Sequence, residues 1–118
     1  MKTPVALKRL SALSQASRLK VFRLLVNAGP DGMAAGRIAR KLGIAANTMS
    51  AQLQILSTAG LVVARRDGRS ILYAADFDAM NDLLVFLTKD CCGDRLEKCP
   101  PLAGTVAQFS APTKKPCC

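Results

Sequence analysis

The chain has 118 residues, enough for one domain with one modest core, and carries 17 Lys and Arg against 8 Asp and Glu, a net charge of +9. Half of it is hydrophobic but only 4% is aromatic, so the core must be built from Leu, Val, Ile and Ala, and Leu at helical spacing indicates a mostly α fold. The opening MKTPVALKRL has no clean apolar h-region, and no run nears the ~18 apolar residues of a membrane span. A signal peptide and a membrane partner are therefore not expected. A cytoplasmic protein is, with a polyanion such as nucleic acid as its partner.

In chain order, Val5 to Leu13 places Leu7, Leu10 and Leu13 on one helical face. A second helix follows Ser14 through ASRLKVFRLLV, with Leu19, Phe22, Leu25 and Val26 as its apolar positions. The stacked turn formers NAGPDG (Asn27–Gly32) end it. AAGRIARKL (Ala34–Leu42) is a short third helix closed by Gly43. AANTMSAQLQILSTAG (Ala45–Gly60) is a fourth, with Met49, Leu53 and Leu56 inward and Gly60 as its stop.

The period then changes. Two β-prone runs, Leu61–Arg66 and Arg69–Tyr73, flank Asp67-Gly68, the dipeptide of a tight type I′ hairpin. Asp76 is placed to cap a last helix, FDAMNDLLVFLTKDCC. In it Phe77, Met80, Leu84 and Leu87 recur at spacings of three, four and three, the seam of a helix that pairs with a partner, and the next step of four lands on Cys91. Leu83 and Phe86 widen that apolar face, so it can serve its own core as well as a second subunit. From Pro100 onward the chain is rich in Pro, Ala and polar residues, which predicts a flexible Cys-ending tail over 100–118 after a domain over 1–99.

Three helices, the last two joined by a tight turn, and then a basic hairpin describe a winged helix-turn-helix, mainly α with a small β-hairpin. Helix Ala45–Ala59 is then the recognition helix. Its exposed face carries Asn47, Thr48, Ser50, Gln52 and Gln54, side chains that hydrogen-bond base edges and phosphates. The hairpin sets Arg65, Arg66 and Arg69 around its tip, suited to phosphates or a minor groove. Each feature alone reads as a solvated helix face or a charged turn; their order along the chain favours double-stranded DNA.

These blocks resemble the ArsR/SmtB family of bacterial metal- and metalloid-responsive repressors over about residues 5–99. The resemblance is carried by LSALSQASRLKVFRLLV, by GRIARKLGIAANTMSAQLQILSTAGLVVARRDGRSILY and by the leucine-rich helix ending in FLTKDCC. It implies a homodimer, joined through the first and last helices, that docks two recognition helices on operator DNA and leaves when an inducer binds. It implies no enzyme activity. The family often has Arg-His where this chain has Ala51-Gln52, so affinity is expected to lean on the wing and on Arg37, Arg40 and Lys41.

All five cysteines lie in the last 28 residues, and Cys91, Cys92 and Cys99 fall within nine of them. The chain has no His, which argues against the family's usual zinc site. The stretch Pro30–Leu42, where another version places a cysteine trio, has none. The resemblance then implies a third arrangement, a vicinal pair with a nearby third Cys that binds trivalent arsenic as inducer. The chemistry agrees: soft thiolates select soft ions, a structural zinc wants four ligands, and pyramidal As(III) or Sb(III) is satisfied by three. Methylarsenite needs only two sulfurs. The rival readings are a redox-sensing repressor switched by a Cys92–Cys99 disulfide and a thiol arsenate reductase with Cys92 as nucleophile. Cys117 and Cys118 are extra thiols or part of a dispensable tail. No organic cofactor is implied.

Overall fold

A computed structural model describes residues 1–89, so the expectations for Cys91, Cys92, Cys99, Cys117 and Cys118 and for the 100–118 tail lie outside the described residues. The chain runs α1 (Thr3–Leu13), α2 (Ala16–Ala28), β1 (Met33–Ala34), α3 (Ala35–Leu42), α4 (Ala46–Thr58), β2 (Val62–Asp67), β3 (Ser70–Ala75) and α5 (Phe77–Lys89). The three strands form one antiparallel sheet in the order β1-β3-β2.

Local chemistry sets most of these boundaries. Pro4 stands in the first turn of α1, where a missing N–H costs nothing, and the helix starts at Thr3, two residues before the expected Val5. The Gln15 side chain caps α2 by accepting the Arg18 N–H at 2.9 Å. At the end of α3 the Ile44 N–H donates to the Ala39 carbonyl at 3.0 Å, and at the end of α4 the Leu61 N–H donates to the Leu56 carbonyl at 3.1 Å. Asp76 caps α5 as expected, its Oδ1 accepting the Ala79 N–H at 3.0 Å.

The core joins all layers. Val21 and Leu25 of α2, Ile38 of α3, Met49, Leu53 and Leu56 of α4, and Leu61 are essentially inaccessible. The inward period of α4 is the one the sequence prescribes.

The structure corrects four expectations. First, Ala34 belongs to a strand and not to the third helix: Met33 pairs with Tyr73 and Ala34 with Leu72. Gly32 makes this possible. Its φ is +74°, and a Cβ there would lie 2.5 Å from the Tyr73 carbonyl oxygen, so only a glycine lets the chain pass this close to β3. Second, the hairpin loop is Gly68-Arg69 and not Asp67-Gly68, because Asp67 pairs with Ser70. A two-residue hairpin loop wants positive φ at its first position, and Gly68, at +63°, supplies it.

Third, the three leucines of α1 do not share one environment: Leu13 packs against the core, whereas Leu7 (61%) and Leu10 (37%) are exposed and Ala6 and Ala12 are the buried residues of the helix. Of the four apolar positions of α2, Leu19 is exposed as well. Fourth, the Phe77–Met80–Leu84–Leu87 seam is not one continuous outward stripe. Phe77 and Met80 are half-buried against the core of their own domain, with Ala79 and Leu83 beside them fully buried, whereas Leu84 (53%) and Leu87 (48%) are exposed.

Candidate nucleic-acid interface

The α3–α4 unit is a helix-turn-helix whose turn passes through Gly43 and Ile44, and Ile44 is half-buried and packed against the core. The next residue, Ala45, caps α4 with its backbone in the extended region and no side-chain hydrogen bond, so no hydroxyl or carboxylate occupies the start of the helix. The N–H groups at the start of the helix favour an anion, although that of Thr48 is already taken by the Asn47 side chain. Arg40 and Lys41 occupy the last turn of α3, and both are exposed, as is Arg37.

Of the five side chains expected to read DNA from α4, Asn47, Thr48, Ser50 and Gln54 are exposed. Asn47 Oδ1 accepts the Thr48 N–H at 2.9 Å, and Gln54 Nε2 donates to Thr58 Oγ1 at 3.3 Å. Gln52 differs. It is half-buried, and its Oε1 accepts from Arg18 Nη1 at 3.1 Å. The structure therefore brings four of the five to one open face and engages the oxygen of the fifth inside the protein.

On the wing Arg65, Arg66 and Arg69 are all exposed. Strand alternation divides them: Arg66 pairs with Ile71 and Arg65 with Leu72, so they point to opposite faces of the hairpin. Arg65 Nη2 donates to the Asp31 carbonyl at 3.2 Å, which ties that cation to the turn before β1. Arg66 and Arg69 form the tip.

Sequence reasoning passed over two other arginines. Arg9 Nε donates to the Ala59 carbonyl at 3.1 Å, at the end of α4, and its Nη1 reaches the Ala79 carbonyl of α5 at 3.5 Å. Arg18 Nε donates to the Ala12 carbonyl at 2.7 Å while its Nη1 holds Gln52. One guanidinium thus connects α1, α4 and α5, and the other connects α1, α2 and α4. A signal for Arg9 was present, since Ala6, Arg9 and Ala12 stand three apart on the buried side of α1. Arg18 gave none, because its partner lies 34 positions away.

On the other side of the domain, α1, α2 and α5 enclose an open groove of about 430 Å³ with an apolar lining that includes Leu10, Leu19, Phe22, Leu84 and Leu87. Among the described residues no group of His, Cys, Asp and Glu is arranged to hold a metal, and no helix is long and apolar enough to cross a membrane.

Residues 13–65 match the family model of a helix-turn-helix domain. The chain is 35% identical over 85 residues to the nodulation protein NolR of Rhizobium meliloti, covering 72% of this chain and 66% of that one. The match thus spans about two thirds of the relative's length. Among solved structures, the homodimeric winged helix-turn-helix DNA-binding domain of Mb0332 from Mycobacterium bovis, a possible ArsR-family transcriptional regulator, is 32% identical with a TM-score of 0.61, covering 74% of this chain and 80% of that domain. This chain belongs to the ArsR family. NolR from Sinorhizobium fredii is similar as well, 31% identical with a TM-score of 0.59, covering 73% of this chain and 83% of that one. An ArsR-family transcriptional regulator of winged-helix type is what the α3–α4 unit and the β2–β3 wing compose.

Proposed function

We propose that this regulator is a homodimeric repressor of an arsenic-resistance operon, bound to double-stranded operator DNA until As(III) closes on Cys91, Cys92 and Cys99. The DNA-binding half of this reading rests chiefly on one observation: α4 leaves Asn47, Thr48, Ser50 and Gln54 exposed, and the cations of α3 and of the wing tip are exposed as well. Bases are read from α4, and Arg37, Arg40, Lys41, Arg66 and Arg69 hold phosphates. The α1–α2–α5 groove supports the dimer, because a second copy laid along α1 and α5 would cover Leu10, Leu84 and Leu87.

The inducer half rests on the sequence that follows α5. Two thiols directly after the dimer helix and a third seven residues on give the three soft donors that trivalent arsenic takes, with no His nearby to favour zinc. Sb(III) fits the same three sulfurs, and methylarsenite needs two. Binding at the end of α5 alters the α5–α5 contact of the dimer and hence the spacing of the two α4 helices, so that inducer and operator lower each other's affinity reciprocally.

A gel-shift assay tests this. Arsenite is expected to release operator from the wild type and to leave it bound to Cys91→Ser. In Cys99→Ser the response to methylarsenite is expected to survive while that to arsenite is lost. Unaltered arsenite release from Cys91→Ser would overturn the reading.

A further inference from the structure

Gln52 stands on the recognition helix, yet the hydrogen bonds around it run inward. A guanidinium carries donors only, so the side of the Gln52 amide that meets Arg18 must be its oxygen. That contact is 3.1 Å long, and the same guanidinium donates through Nε to the Ala12 carbonyl at 2.7 Å. Ala12 is in the last turn of α1, and its carbonyl is among those a helix end leaves without an intrahelical partner. Arg18 itself lies in the first turn of α2 and is held there by the Gln15 cap. Both ends of the bridge are therefore fixed, and among the described residues no buried side-chain polar atom lacks a partner.

An adenine-reading glutamine needs its oxygen and its NH₂ together, the one accepting from N6 and the other donating to N7. Gln52 is half-buried and one of the two lone pairs of its oxygen is taken by Arg18, so a flat bidentate contact with adenine would have to turn the amide outward at the expense of that bridge. We propose that Gln52 is not a base reader and that Arg18 and Gln52 act together as positioning residues, setting the orientation of α4 relative to α1 and so presenting Asn47, Thr48, Ser50 and Gln54 to the duplex. This rests on α4 being the recognition helix. It concerns DNA binding alone and is independent of the inducer.

The test uses the full chain and a duplex selected by the wild type from a randomised library. Arg18→Met and Gln52→Met each remove one side of the bridge while keeping bulk, and each is expected to lower affinity for that duplex about tenfold, the cost of losing a hydrogen bond to a charged donor. The double variant is expected to lose no more than either single one, because both act through one contact. Base preference, re-selected with Gln52→Met, is expected to be unchanged. The slope of affinity against salt for Arg18→Met should equal that of the wild type, since a phosphate-contacting arginine would lower it by about one. Arg18→Lys is expected not to rescue, because a single ammonium on a flexible stem replaces a fork that serves two fixed acceptors.

Additive losses in the double variant, a changed base preference in Gln52→Met, or a reduced salt slope in Arg18→Met would each overturn the proposal. Should Arg18→Met fail to fold, Gln52→Met and its re-selected preference still decide the matter. If the wild type selects no duplex at all, the recognition-helix reading falls and takes the proposal with it. Selective binding by the wild type with additive variants overturns only the bridge.

Discussion

Arg9 Nε donates to the carbonyl of Ala59 at 3.1 Å, across 50 positions of sequence. The end of α4 is thereby fastened to the first helix of the chain. The same guanidinium reaches the Ala79 carbonyl, so α4 and α5 share one cation. Arg9→Met keeps the aliphatic stem and removes the fork. It is expected to lower stability by about 1.5–3 kcal/mol, the range for a hydrogen bond to a charged group, measured by urea unfolding followed by circular dichroism. A change below a few tenths of a kcal/mol would mean that the end of α4 is held by core packing alone.

The approach of β1 to β3 depends on Gly32. A Cβ at that position would meet the Tyr73 carbonyl oxygen at 2.5 Å and would also have to sit at φ +74°. Gly32→Ala is therefore expected to cost about 2 kcal/mol or more, the left-handed penalty plus the displacement of β1. Gly68 has a positive φ too, but a Cβ added there would meet nothing within 4 Å. It gives the control, since Gly68→Ala incurs the left-handed penalty alone. Denaturation midpoints of the two variants separate strain from collision.

The outward half of α5 bears on assembly. Leu84 and Leu87 are about half exposed on an open groove. Covering each is expected to contribute about 1 kcal/mol to association, half the full-burial value for a leucine. Replacing both with Lys adds like charges facing each other across the seam. Sedimentation equilibrium is expected to find a dimer for the wild type and a monomer for this variant, and duplex affinity should fall with it.

The wing tip should act through charge alone. Arg66→Ala and Arg69→Ala are each expected to weaken binding to all duplexes alike and to reduce the salt slope by about one. Arg65→Ala is expected to change the slope less, because that guanidinium is tied to the Asp31 carbonyl at 3.2 Å. Anisotropy titrations over a range of salt concentrations compare the three.

The parts of this fold that were legible in the sequence are those governed by local rules. Met49, Leu53 and Leu56 mark the buried side of α4 by their period, Gly43 marks the turn before it, and Asp76 marks the start of α5. What was not legible depends on distant partners. Two residues, Met33 and Ala34, are too few to show a strand period, and only the pairing with Leu72 and Tyr73 makes them one. Gln52 has the side chain of a base reader, and only its contact with Arg18 turns it inward. The α5 stripe keeps the alternating three-and-four step throughout, but its first half meets the core of its own domain and its second half does not.

The most direct measurement follows the anisotropy of a labelled duplex bound to the regulator as arsenite is added. Wild type is expected to release the duplex, and the Cys91/Cys92/Cys99 triple Ser variant, binding with unchanged affinity before addition, is expected to keep it. Release that persists in the triple variant would contradict an inducer site built from those three thiols.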